Sequence, residues 1–246
     1  LLRLRQVIAA PRDGAAARAL SPKRIVVAAV IAQGAVSFAE QGIPTLGVFL
    51  KDDLSLSATA VGALVAMLGL GRLVSFYVAG RAVDRRGERR VLLVGALGTG
   101  IAVSVAAGLG YTAMLVAFFV AGLFLSAMTP AGGKLVFGSV APRRRSLAMG
   151  IRQAAVPAGG LAAAAVLPAL AGWTGWRTSL LVAGIVPICG GLAALALAGP
   201  GPRVEAPPVK ARLALAGLPV RPFAFTTLWV CILVGGQDVV LTVLAV

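Results

Sequence analysis

The sequence predicts an all-α polytopic membrane protein, and two features of composition and one of pattern carry that reading. Of the 246 residues, 59% are hydrophobic and only 13% charged, with a mean hydropathy of +0.95, whereas a soluble domain keeps roughly a quarter of its residues charged. The apolar residues come in runs of twenty or more, long enough as helices to cross a hydrocarbon layer about 30 Å thick. The basic residues stand in short clusters between those runs. In a soluble chain, a net charge of +15 and a pI near 11.7 would point to nucleic acid. Here there is no basic face and there are no interleaved aromatics, so the charge reads as membrane topology and the expected partner is the lipid bilayer, not nucleic acid.

Taken in order, residues 1–23 form a tail of Arg and Ala with a Pro-Arg-Asp-Gly turn and no continuous apolar region of a secretory signal. Six spans then occupy a domain over 24–199, at about 24–50, 57–83, 91–110, 113–140, 147–171 and 179–198. Gly42 and Pro44 are placed to kink the first span, and Ser57 to cap the second. Residues 200–221 hold Pro202, Pro207 and Pro208 and read as a central loop. A seventh span starts near 222 and is still running at Val246, and the chain does not begin with Met, so a fragment cut at both ends is expected.

Orientation follows from the basic residues, because basic loops stay cytoplasmic. With the tail inside, eighteen Lys and Arg fall in inner segments against Lys51 and Arg177 outside. The amino terminus is therefore expected in the cytoplasm, with the protein in the cell membrane. There is no His, which excludes His-ligated metals, haem and a His general base from this chain, and no cofactor is expected. Cys189 and Cys231 both lie in apolar runs and read as small hydrophobes.

Five charges remain inside the spans, Glu40, Arg72, Lys134, Arg152 and Asp238. Each costs several kcal/mol in lipid, so each should face a partner or a watery cavity. On the first span Gln33, Ser37, Glu40, Gln41 and Pro44 recur at three- and four-residue steps and form one polar stripe. Ser126, Thr129 and Lys134 approximate another on the fourth, and Asp238 with Thr227 and Thr242 a third on the seventh. Facing stripes imply a central water-filled path. Alternatives stand beside that reading: Arg152 and Lys134 are seven and nine residues from the basic cluster 143–145, within reach of the surface by snorkelling. Arg72 either lines the cavity or forms a structural ion pair, with Glu40 the partner in both cases. Asp238 is either a proton site or incidental. Spans three and six carry no charge and are expected to face lipid. Glycines such as Gly62, Gly69 and Gly159-Gly160 read as close-packing positions.

Residues 71–90, GRLVSFYVAGRAVDRRGERR, combine Gly71, Gly80, Asp84, Arg85, Gly87, Arg89 and Arg90 at the end of an apolar span. This stretch resembles the signature loop between the second and third membrane helices of major facilitator superfamily transporters. The stretch RSLAMGIRQ from 145 to 153, followed by Pro157 and Gly159-Gly160, is similar to fifth-helix sequence of the same family. The resemblance implies twelve spans in two six-helix halves, each of three-plus-three inverted repeats, with the substrate between the halves. This chain would supply the amino-terminal half and a seventh helix, and the missing carboxyl-terminal half would be its partner. Asp84 would meet the start of a helix in that half, Gly80 would allow the approach, and Arg85, Arg89 and Arg90 would surround it with ion pairs. Val156 before Pro157 departs from the fifth-helix pattern of family antiporters.

The function these features predict is secondary active transport of a small solute by alternating access. Three buried bases against two acids lean toward an anionic or carboxylate-bearing solute, with a proton as the coupling ion. Proton-coupled efflux of apolar compounds and a non-transporting sensor are the alternatives. An enzyme is not expected: Asp238 has no second membrane aspartate, and there is no His or nucleophile elbow.

Overall fold

The computed structural model describes residues 21–199, and every regular element within them is helical. Among the described residues, six stretches are long and apolar enough to cross a membrane. Span one is α1 (Pro22–Gly42) and α2 (Gly47–Asp53), span two α3 (Ala58–Arg86), span three α4 (Glu88–Ala106), span four α5 (Tyr111–Leu125) and α6 (Met128–Ser139), span five α7 (Arg145–Thr174) and span six α8 (Trp176–Ala198). The central loop and the seventh span expected at 222–246, with Asp238, lie outside the described residues.

Local chemistry sets the ends and breaks. Pro22 opens α1 where its missing N–H is not needed, and Ser57 caps α3 by accepting from the Ala60 amide at 3.2 Å. Pro44 stops α1, and the Thr45 hydroxyl donates to the Gly42 carbonyl at 2.7 Å before α2 resumes. Span four, expected as one helix, is divided at Ser126–Ala127. The cause is Pro130, which has no N–H to give to the carbonyl four residues back, that of Ser126. Between α3 and α4 the chain reverses at the single residue Gly87, with φ +85° and ψ 150°. Between α7 and α8 it does the same at Gly175, with φ +88° and ψ 157°. Only glycine adopts that region without strain.

The bundle is built twice over. α3 crosses α5 where Gly71 meets Gly122: a Cβ on either would come within 2.1 Å of the other helix's backbone. α1 crosses α7 where Gly34 meets Gly159, and a Cβ on Gly159 would lie 2.4 Å from the Gly34 carbonyl. Gly34 and Gly122, Gly71 and Gly159, and Gly87 and Gly175 each stand 88 residues apart. Spans one to three and four to six are thus two copies of one unit, and because span one starts at the end of the bundle where span four finishes, the copies run in opposite directions. α4 and α8 close the bundle on each other at Gly100 and Gly184.

That closure qualifies the expectation for spans three and six. Their lack of charge beyond the first turn goes with a glycine-lined contact between them, and both are more buried than spans two and five. Large apolar residues are exposed on α3, at Leu73, Val74, Tyr77 and Val78, and on α7, at Leu147 and Leu161, and spans three and six keep exposed apolar faces as well, at Val94 and Ile101 on α4 and at Ile185 and Leu192 on α8.

Candidate functional site

The polar stripe of α1 is shared between two neighbours. Glu40 turns toward α3 and forms an ion pair with Arg72. The side chains are 25% and 40% exposed respectively, so the pair sits at an open face of the bundle. Beside it, the Ser75 hydroxyl lies 2.8 Å from the Gly71 carbonyl, 3.0 Å from the Leu123 carbonyl and 2.9 Å from the Ser126 hydroxyl. Ser126 donates to the Leu123 carbonyl at 2.8 Å, so the end of α5 is held by hydroxyls where its helix stops.

Gln33, Ser37 and Gln41 turn instead toward the interior and α7. Arg152 is 2% exposed. Its Nη2 donates to Gln33 Oε1 at 2.5 Å and to the Met128 carbonyl at 3.2 Å, and Gln33 Nε2 donates to Ser37 Oγ at 3.2 Å. Arg152 Nε is buried with no hydrogen-bond partner among the described residues. The guanidinium fits because Gly132 has no side chain; a Cβ there would lie 2.7 Å from Nε. Gln41 Nε2 reaches the Val156 carbonyl at 3.4 Å. Arg152 therefore neither snorkels nor opens onto the face that Arg72 occupies.

Lys134 belongs to the loop cluster. Its Nζ donates to Asp84 Oδ1 at 3.0 Å, joining α6 to the end of α3. Asp84 keeps 69% of its side chain exposed. Arg85 and Arg90 are exposed, and Arg89 donates to the Gly199 carbonyl at the end of α8, a cation on a helix C-terminus. Gly80 has open space where a Cβ would be, unlike Gly71, whose place is filled by α5. The structure thus separates the two glycines of the signature: Gly71 is a helix crossing within the bundle, and Gly80 lies on its surface.

One polar tie had no signal in the sequence. At the end of the bundle away from the basic loops, the buried Trp176 indole donates to Asp53 Oδ2 at 2.8 Å, and Arg177 lies 4.6 Å over the same ring. The partners are 123 positions apart, so no local spacing marks them.

An inverted pair of three-helix units, with an ion pair at an open central face and an acidic residue among arginines at one end, defines a transporter-type membrane bundle. A family model described as Major Facilitator Superfamily matches residues 27–246, and the chain belongs to that superfamily of transporters. It is 39% identical over 111 residues to an uncharacterized MFS-type transporter of Mycobacterium tuberculosis, a match covering 45% of this chain and 25% of the relative. It is 24% identical over 139 residues to the hexuronate transporter of Bacillus subtilis, covering 56% of this chain and 33% of that protein. Among solved structures, the peptide transporter POT in complex with sulfate superposes with a TM-score of 0.65 at 17% identity, over 87% of this chain and 47% of that one. The chain thus spans a quarter to a third of the curated relatives it matches and just under half of the structural neighbour.

Proposed function

We propose that the full protein is a secondary active transporter that moves a small carboxylate-bearing solute by alternating access. The observation that carries this is the Glu40–Arg72 pair, an acid and a guanidinium at mid-span and partly open to solvent. Desolvation of both charges offsets much of what an ion pair gains from enclosure, so the attraction that holds this half-open pair is one that a solute charge can match. A pair left half open is positioned to exchange partners. Arg72 offers a planar fork matched to a carboxylate, and Glu40, once displaced, takes up a proton and so links solute to proton movement. The likeness to a hexuronate transporter favours a sugar acid as the first solute to test. The basic end of the bundle faces the cytoplasm of the cell membrane in this reading, and the remainder of a longer protein supplies the other wall of the path.

The test is uptake of radiolabelled D-glucuronate into proteoliposomes containing the full-length protein, with and without an inward proton gradient. Gradient-stimulated uptake is expected, with a loss of roughly 10- to 100-fold in Arg72→Ala, the range for one charged hydrogen-bonding group. Glu40→Gln should abolish the stimulation by the gradient. No uptake of this or other small carboxylates, together with flux of lipophilic cations, would replace this reading with efflux of apolar compounds.

A further inference from the structure

At the level of the Glu40–Arg72 pair, α1 presents a second polar side chain to its other neighbour. Glu40 meets Arg72 of α3, and Gln41 meets Gly160 of α7, where a Cβ would lie 2.0 Å from Gln41 Oε1. Arg72 and Gly160 stand 88 residues apart, and each directly follows a crossing glycine, Gly71 or Gly159. They are equivalent positions of the two copies. One carries a guanidinium; the other is bare, and the Gln41 amide lies against it.

The amide is held in one orientation. Its Nε2 donates to the Val156 carbonyl at 3.4 Å, and because a carbonyl can only accept, the nitrogen is the end turned to the backbone of α7. Oε1 is left as an acceptor with no donor among the described residues. Nor is it sealed off: Gln41 is half-buried, whereas Gln33 and Ser37 of the same stripe are buried and hydrogen-bonded to each other. This level of α1 thus offers a cationic donor in Arg72, an acid in Glu40 and an uncharged acceptor in Gln41 Oε1. Glu40 and Gln41 are consecutive, with Cα atoms about 3.8 Å apart, so a solute the size of a sugar lying here reaches both sides.

We infer that Gln41 selects hydroxylated carboxylates: with the carboxylate of the solute on Arg72, Gln41 Oε1 accepts a hydrogen bond from one of its hydroxyls. The carboxylate end rests on the transport reading above, and the hydroxyl end on Gln41. A carboxylate without hydroxyls excludes water from Oε1 and supplies no donor in its place, and a site left unpaired in this way discriminates against that solute. Gly160 is a positioning residue, because its bare backbone lets Oε1 lie where it does. A methyl group there takes that place, so Gly160→Ala displaces the amide without altering its chemistry.

In the test, purified full-length protein in detergent is titrated calorimetrically with D-glucuronate and with cyclohexanecarboxylate, which has a six-membered ring and a carboxylate but no hydroxyl. Gln41→Leu should shift the ratio of the two Kd values against D-glucuronate by at least about threefold, the size of one uncharged hydrogen bond. Gly160→Ala, which keeps Gln41, should shift it in the same direction, and it decides the matter by the same threshold if Gln41→Leu does not fold. A smaller shift overturns the inference, and so does a rise of both Kd values together, which is what a purely structural role produces. Flux of D-glucuronate is measured in parallel in proteoliposomes. Flux with an unchanged ratio overturns the role of Gln41 and leaves the transport reading standing. Binding without flux overturns the transport reading, while the Kd ratio still decides the role of Gln41. Binding of cyclohexanecarboxylate but not of D-glucuronate overturns the role of Gln41, and binding of neither overturns both.

Discussion

Arg152 is buried, and among the described residues its hydrogen-bond partners are an amide oxygen and a backbone carbonyl, with no carboxylate. A guanidinium can be held this way because its fork donates in two directions from one nitrogen. Removing one acceptor leaves a charge with less to bind, whereas removing charge and acceptor together leaves an apolar contact. Gln33→Leu should therefore lower the thermal stability of the detergent-solubilised protein by about 1–3 kcal/mol, and adding Arg152→Met should recover a large part of that loss. A double variant less stable than Gln33→Leu alone would refute this account. Of the intramembrane charges, the Glu40–Arg72 pairing was legible in the sequence because both residues stand far from any loop and have opposite sign. The place of Lys134 was not, because its nine-residue distance from the basic cluster suits either the cavity or the surface, and only the fold brings α6 beside the end of α3. The inward turn of Gln33 depends on how α1 is rotated against α7, which a stripe on one helix does not determine.

At the scale of elements, glycines divide by what faces them. Gly71 and Gly122 touch backbone to backbone, so Gly122→Val must push α3 and α5 apart, at about 1–3 kcal/mol or more for overpacking. It should lower the yield of folded protein in size-exclusion chromatography. Gly80→Ala, by contrast, meets nothing within this bundle and should leave its stability unchanged, so that any effect on transport arises from what approaches it during the cycle. Gly87→Ala places a side chain at φ +85° and should cost about 1–3 kcal/mol of backbone strain, read as a lower unfolding temperature. The six spans were visible as apolar runs, and the kink at Pro44 and the cap at Ser57 were visible as local chemistry. The division of span four had its signal in Pro130, but no charge interrupts the stretch from 113 to 133, which is why length and apolarity alone read one helix. The partnership of spans three and six depended on glycines that have meaning only when matched across helices.

For the whole molecule, the distribution of charge predicts how the bundle sits in its membrane. A cysteine at Arg90 should react with an impermeant reagent only from the cytoplasmic side and one at Lys51 only from the other; the reverse pattern would invert the topology. The repeat of glycines at 88 residues has a consequence for how this sequence can change. Gly71 and Gly159 sit at equivalent crossings, and Gly87 and Gly175 at equivalent reversals at opposite ends of the bundle. The same lesion is thus available in two places, once toward each aqueous compartment. A family of random variants should show intolerant positions in pairs, each member predicting its counterpart in the other copy, so that half of the chain serves as a map of vulnerability for the other half.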